Sequence, residues 1–323
     1  MQLIVSMGIP AKNYRTAKEG FRYNGAVIQI IDWEKKKIVK EISYTSPPEH
    51  LGEGLSMQFK GATIFKDKYY VVTNTEILAY DLATWALERV ASDRTFNDLH
   101  GIMVTNDFLY LCNTGLEMIQ ILNHDLEIVG EINLACKPTW AHFNKKTDYR
   151  KIATTKPHEI HVNHAFMIND DLWVTRPHKF DAINPLDPRE KIPLMPDSGC
   201  HDGIVRGNFI YFTSVNGHIL KVDIEKRQVV QDINIGNLVN GPLGWTRGLE
   251  VVGSQAFVAT TALRGSKFKK YLKWILEPNS KSKIPTTLFQ IDLSKEVVVN
   301  SYKIAEYSGS GVYTILKHPD SDN

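Results

Sequence analysis

His100, His164 and His201 stand at or next to the same place in three successive copies of one short sequence pattern. Histidine is the commonest side-chain ligand of transition metals, and three imidazoles with an open fourth position make a catalytic metal site. The same imidazoles could instead exchange protons near neutral pH, or could simply bond to the backbone and line a wet channel. The pattern therefore predicts these three histidines as catalytic residues and as ligands of a divalent transition metal, either Zn, Mn or Fe.

Charged residues occupy the matching places in other copies. Lys60 and Arg247 could hold a carboxylate, phosphate or sulfate, the arginine through a bidentate fork, although Arg247 could equally pair with Glu250 or Asp202 inside the protein. Asp202 could bind a ligand or fix the tautomer of a neighbouring imidazole. Glu250 lies in an otherwise apolar strand, so it is predicted as a catalytic base or ligand if it faces the channel, and as a paired core charge otherwise.

Further candidates lie outside the repeated place. The segment that contains His158, His161 and Asn163 adds potential ligand groups, and we predict His161 and Tyr307 as ligand-binding residues. The chain has neither a glycine-rich phosphate loop nor a dinucleotide fingerprint, so no organic cofactor is expected.

Each copy of the pattern places a polar residue before a small one, followed by a short apolar strand, a tight turn and a second strand. The six copies begin at Lys60-Gly61, His100-Gly101, His164-Ala165, Asp202-Gly203, Arg247-Gly248 and Ser310-Gly311. Two more strands follow in the complete copies, and the period is about 40 residues, as in β-propeller blades. We predict an all-β, six-bladed propeller with four-stranded antiparallel blades. An open sandwich, two barrels or a seventh blade within the long Gly248 copy are the alternatives.

The two ends of the chain together supply one blade. Residues 310–316 are a first strand without successors, whereas 1–7, 26–32 and 38–43 are three strands without a first one. Joining them leaves no open sheet edge at the seam. We therefore predict a single domain over 1–323, with one blade closed by strands from both termini.

The long connections are expected on one face of this propeller. The insertions 8–25, 134–160 and 262–285 join strands at the end where each first strand begins, and they are rich in lysine and arginine. Such a face attracts anions, so a small anionic ligand is expected at the channel mouth. Within the third insertion, 267–276 has apolar residues at helical spacing and could be a lid, a peripheral membrane contact or a partner-binding surface.

Composition limits the partners and the compartment. The 323 residues carry a formal net charge of +2, so a nucleic acid partner is unlikely from global charge. No apolar run approaches the roughly 20 residues of a membrane span, so no integral membrane segment is expected. The three cysteines are sparse and lack metal-binding spacing, which favours a reducing, cytoplasmic compartment.

Two motifs carry a family resemblance. Gly244-Trp-Thr-Arg-Gly-Leu249 followed by Ala256-Phe-Val-Ala, and Cys200-His201-Asp-Gly-Ile followed by Phe209-Ile-Tyr-Phe, resemble an uncharacterised bacterial family of six-bladed propellers. More distantly, the architecture is similar to the gluconolactonase and paraoxonase group, in which a channel metal serves lactone or ester hydrolysis. The calcium site of that group is rich in Asn, Asp and Glu, whereas the candidate residues here are richer in His, Lys and Arg.

Together these patterns predict an enzyme that acts on a small anionic metabolite or conjugate in the propeller channel. Metal-assisted hydrolysis or lyase chemistry at the histidine cluster is the expected reaction, because neither needs an organic cofactor. The alternative is a non-catalytic binding propeller whose basic face docks a protein, a glycan or a membrane.

Overall fold

Short, β-branched and aromatic runs form strands along almost the whole chain. The computed structural model describes residues 1–13, 17–240, 243–261, 285–304 and 310–319. The strands of these residues are β1 Gln2–Pro10, β2 Tyr23–Asp32, β3 Lys37–Tyr44, β4 Ala62–Phe65, β5 Lys68–Val72, β6 Ile77–Asp81, β7 Leu87–Ala91, β8 Leu99–Val104, β9 Leu109–Asn113, β10 Met118–Leu122, β11 Ile128–Asn133, β12 His164–Ile168, β13 Asp171–Arg176, β14 Asp181–Ile183, β15 Lys191–Pro193, β16 Cys200–Arg206, β17 Phe209–Ser214, β18 His218–Asp223, β19 Gln228–Asn234, β20 Thr246–Val252, β21 Gln255–Thr260, β22 Thr287–Asp292, β23 Val297–Lys303 and β24 Gly311–Lys317.

Helical structure in the same residues is limited to short turns. The 3-10 helices are Thr114–Leu116, Thr139–Ala141 and Tyr149–Lys151, and the α-helix α1 is Ile235–Val239. None of the described helices has the length and apolar character needed to cross a membrane.

The strands build six four-stranded antiparallel sheets, which are the blades of a β-propeller. Five blades use consecutive strands, from β4–β7 to β20–β23, and the sixth has the order β24-β1-β2-β3. The innermost strands β24, β4, β8, β12, β16 and β20 contact one another in that order, and β20 contacts β24, which closes the ring. The predicted six-bladed propeller and its closure by both termini are confirmed.

Burial decreases from the inner to the outer strands of a blade. In the blade of β8–β11, β9 and β10 are mostly buried, whereas β11 alternates between half-buried and exposed residues. The apolar core lies between blades, where the faces of two sheets meet. Trp33, which follows β2, packs edge-to-face on Phe257 of the neighbouring blade, with ring centroids 5.4 Å apart.

The small residue of the repeated pattern lets the innermost strands approach one another. A Cβ added at Gly61 would lie 2.4 Å from the carbonyl oxygen of His100, and one added at Gly101 would lie 2.8 Å from that of Asn163. The Gly61 amide instead donates to the His100 carbonyl at 3.0 Å, between two blades. Because the backbones touch here, the residue before each glycine is held close to the channel axis.

Candidate metal centre and channel site

Three consecutive cavities run along the axis of the propeller and form one channel. The mouth cavity, of about 620 Å³ including open solvent, lies beneath the long loops. It shares His100, Arg247 and Tyr313 with a middle cavity of about 460 Å³. The middle cavity in turn shares His164 and Ile204 with a wider lower chamber of about 1410 Å³, and both of these volumes also include open solvent.

A group of metal-ligand type lies at the mouth cavity. One potential ligand atom each from Asp98, His158 and His161 lies within 4.8 Å of the other two, and among the described residues this is the one such group. Asp98 directly precedes β8, and the two histidines lie in the connection that leads to β12. Asp98 and His161 both adopt the left-handed conformation, with φ of 50° and 58°. Backbone strain of this kind is concentrated at functional sites.

Hydrogen bonds fix the orientation of the two imidazoles. The Thr155 hydroxyl donates to the Gly115 carbonyl at 2.6 Å, since a carbonyl can only accept. Thr155 therefore accepts from Nε2 of His158 at 3.0 Å, which leaves the Nδ1 of His158 as a lone pair. That Nδ1 lies 2.9 Å from Nδ1 of His161. At this distance the Nδ1 atoms of His158 and His161 must share either one proton or one cation.

The loop that carries these histidines is anchored to the scaffold. The buried Glu117 carboxylate accepts the backbone N–H of Ile160 at 2.5 Å and that of His161 at 3.2 Å. Farther back in the loop, the Asn97 amide donates to the Tyr149 carbonyl at 2.7 Å. The ligand groups are thus positioned by buried polar contacts on rigid elements.

Burial sets the protonation of the cluster. Desolvation holds the pKa of His161 and of His158 below the usual value, so both rings are neutral, which is the form that binds metals. Burial alone would raise the pKa of Asp98, but the charge of Lys60, the neighbouring His161 and the hydrogen bond from Lys60 lower it to about 2. The centre therefore offers one carboxylate and two neutral imidazoles at neutral pH.

His100 lies beside this centre, with its ring centroid 4.9 Å from that of His161. Its Nδ1 donates to the Asp98 carbonyl at 2.7 Å, which leaves Nε2 as an acceptor in the neutral ring. Burial, followed by the charges of Lys60 and Arg247, holds the pKa of His100 well below the usual value. His100 can therefore accept a proton or a hydrogen bond from a molecule in the channel.

Positive charge dominates the wall of the mouth cavity. Four cations, Arg22, Lys60, Lys156 and Arg247, face two carboxylates, Glu19 and Asp98. Lys60, which is almost fully buried, pairs with Asp98 at 2.5 Å, and Lys156 pairs with Glu19. An anion entering the channel meets a net positive wall.

The middle cavity contains the other predicted histidines. His164 and His201 line it together with Asp202 and Asn163. Burial lowers the pKa of His164 to about 4 and raises that of Asp202 to about 6, the latter against the opposing effects of the Thr213 hydroxyl and Arg247.

The structure divides the predicted site residues between the cavities. Lys60, His100, His161 and Arg247 meet at the mouth, whereas His164, His201 and Asp202 lie lower in the channel. Among the described residues, His100, His164 and His201 do not form a group whose ligand atoms all lie within 4.8 Å of one another, whereas Asp98, His158 and His161 do.

Glu250 lines the lower chamber rather than the mouth. It accepts Arg206 at 2.5 Å and the backbone N–H groups of Val251 and Lys317 at 2.8 and 3.1 Å, so Glu250 is a paired charge even though it lines the lower part of the channel. Tyr307, segment 267–276 and nearly all of insertion 262–285 lie outside the described residues.

Asp98 is a ligand candidate that sequence reasoning missed, and His158 was named only as one of several potential groups. Two signals point to them, namely the His158-x-x-His161 spacing and an aspartate two residues before His100. Neither belongs to the repeated pattern, so the repeat could not assign them to the channel.

Comparison with known proteins supports the propeller fold but indicates no activity. A protein of unknown function from Bacteroides caccae superimposes with a TM-score of 0.64 at 12% identity, covering 97% of this chain and 97% of that one. A chain from the structure of a nidogen/laminin complex superimposes with a TM-score of 0.57 at 8% identity, covering 98% of this chain and 97% of that one. No protein-family model and no curated protein matches the chain. The resemblance to the lactonase group stays a prediction.

Proposed function

We propose that the protein is a metal-dependent enzyme that acts on a small anionic substrate at the mouth of the propeller channel. The observation that carries this proposal is the convergence of Asp98, His158 and His161 to within 4.8 Å. One carboxylate and two imidazoles leave open positions on a Zn²⁺, Mn²⁺ or Fe²⁺ ion, as catalytic centres require.

The remaining residues of the mouth have roles that suit hydrolysis or elimination. A divalent metal would supply polarisation of a substrate oxygen or activation of water. Lys60, Lys156 and Arg247 would bind and orient the anionic group. The Nε2 lone pair of His100 would accept the proton that either reaction releases. None of these roles needs an organic cofactor.

Metal analysis of the protein purified without a histidine tag tests this proposal. We expect about one metal ion per chain, removed by EDTA, and loss of metal in His161→Ala and Asp98→Asn. The matched control is His142→Ala, because His142 is an exposed imidazole of the same loop that lies outside the ligand group. Metal-free protein, or equal metal content in all variants, would overturn the metal centre.

Activity is tested with a panel of small carboxylate esters, lactones and phosphate monoesters. We expect turnover that EDTA abolishes, that added metal restores, and that His100→Gln reduces about 100-fold or more. Metal binding without turnover of any member, together with specific capture of a macromolecule on the basic face, would favour the non-catalytic alternative.

A further inference from the structure

The middle cavity has the features of an anion subsite of its own, separate from the metal ligands. We propose that it binds the carboxylate of a short monocarboxylate substrate, with Arg247 and the Nε2–H of His201 as donors and Asp202 as the residue that excludes dianions. This inference rests on the proposed function, because it names the chemical class of that substrate.

Arg247 is a buried and oriented cation. Its side chain is 8% exposed, and its guanidinium carbon lies 5.4 Å from the ring centroid of Trp245 and 5.1 Å from that of Tyr313. Two aromatic contacts limit the motion of the guanidinium plane, and its fork of donors matches a carboxylate. Because Arg247 lines both the mouth and the middle cavity, a carboxylate on it would lie where the two cavities meet.

His201 is a neutral donor in the same cavity. The Asn163 amide nitrogen lies 3.3 Å from the Cys200 carbonyl, which orients the amide so that the same nitrogen donates to Nδ1 of His201. Burial, then the charge of Arg247 and the neighbouring His164, holds the pKa of His201 well below the usual value. The neutral ring, which is 5% exposed, therefore carries its proton on Nε2 and can donate it to an anion.

Asp202 makes the cavity selective. Its carboxylate lines the wall, and Oδ2 accepts the Thr213 hydroxyl at 2.5 Å. One negative charge can be neutralised by Arg247, but the second charge of sulfate or phosphate would face the half-buried Asp202 carboxylate, which has the same sign. The middle cavity is also the smallest of the three, which favours a short chain.

Calorimetric titration with acetate, propionate and sulfate at constant ionic strength tests the subsite. We expect the untreated protein to bind acetate and propionate more tightly than sulfate. The affinity for acetate should be unchanged by EDTA, because its donors lie outside the metal group. Acetate binding that requires metal would place the carboxylate on the metal and overturn the subsite while leaving the metal centre intact.

Two matched variants of His201 test the donor. His201→Gln keeps an N–H near the position of Nε2 and should retain acetate affinity within about threefold, whereas the shorter His201→Asn should lose about tenfold or more. Asp202→Asn should bind acetate more tightly and gain sulfate binding. Equal acetate affinity in both His201 variants, or preference of the unmodified protein for sulfate, would overturn the inference. A protein that binds acetate as expected but no metal would overturn the proposed function instead.

Discussion

The state of a single proton decides whether His158 and His161 can hold a metal. Thr155 donates to Gly115 and accepts from His158, so the lone pair of His158 Nδ1 is directed at His161. Loss of a group that fixes the tautomer of a metal-binding imidazole typically lowers metal affinity by about 10–100-fold.

Replacing Thr155 tests this role. Thr155→Val keeps the shape of the side chain but removes the acceptor for the His158 N–H, so we expect metal affinity to fall about tenfold or more. Thr155→Ser keeps the hydroxyl and is the control. Competition with a chromophoric chelator measures both, and equal affinities of the two variants would contradict the tautomer assignment.

Asp202 should make stability depend on pH. Burial raises its pKa to about 6, well above the usual value for an aspartate, although the group is still mostly ionised at pH 7. The folded state therefore binds the proton more tightly, and stability is lost as pH rises from about 4 to about 6.

Asp202→Asn removes this loss. Asparagine tolerates the left-handed backbone of Asp202, where φ is 65°. We expect the variant to gain about 1–3 kcal/mol of unfolding free energy relative to the unmodified protein between pH 4 and pH 7. Urea unfolding at both pH values measures the difference in unfolding free energy between the variant and the unmodified protein. If that difference does not grow with pH, the pKa of Asp202 is not raised.

At the scale of elements, the innermost strands determine where the channel residues lie. Gly61 and Gly101 allow contact between the backbones of two blades, at His100 and at Asn163 respectively. A side chain there must push two strands apart.

Gly61→Ala tests the close contact. Its Cβ would lie 2.4 Å from a backbone oxygen, so we expect a loss of about 1–3 kcal/mol of unfolding free energy or more. Gly130→Ala is the control, because a Cβ there meets its nearest neighbour at an ordinary 3.4 Å and the backbone of β11 is extended. Chemical denaturation compares them, and similar stability of both variants would contradict strand contact as the reason for glycine.

The positions of the strands and loops also explain which site residues could be predicted from the sequence. The place of Lys60, His100 and Arg247 around the channel follows from the repeat, because each equivalent strand has the same position in its blade. Asp98, His158 and Thr155 lie in connections that do not repeat, and their meeting depends on the path of one loop held by Glu117. Glu250 faces the channel too, but at the opposite end, because β20 runs the full length of the channel wall.

At the scale of the whole molecule, the propeller is closed by the pairing of β24 with β1. The register runs from Leu3 opposite Lys317 to Gly8 opposite Gly311. Without β24, the β1 edge would be unpaired and the ring open.

A chain ending at residue 309 tests the closure. We expect it to lose cooperative unfolding and to aggregate. Because the His318 N–H donates to the Gln2 carbonyl at 3.0 Å, joining 310–319 ahead of Met1 by a short flexible linker should restore the fold. Cooperative unfolding of the shortened chain at unchanged stability would contradict the need for closure.

The central claim is that Asp98, His158 and His161 hold a catalytic metal at the channel mouth. X-ray absorption spectroscopy of the zinc-loaded protein tests it most directly. The predicted result is a zinc ion with two imidazole nitrogens and at least one carboxylate oxygen, with one imidazole lost in His161→Ala. A protein that takes up no zinc, or a spectrum that His161→Ala leaves unchanged, would contradict the account.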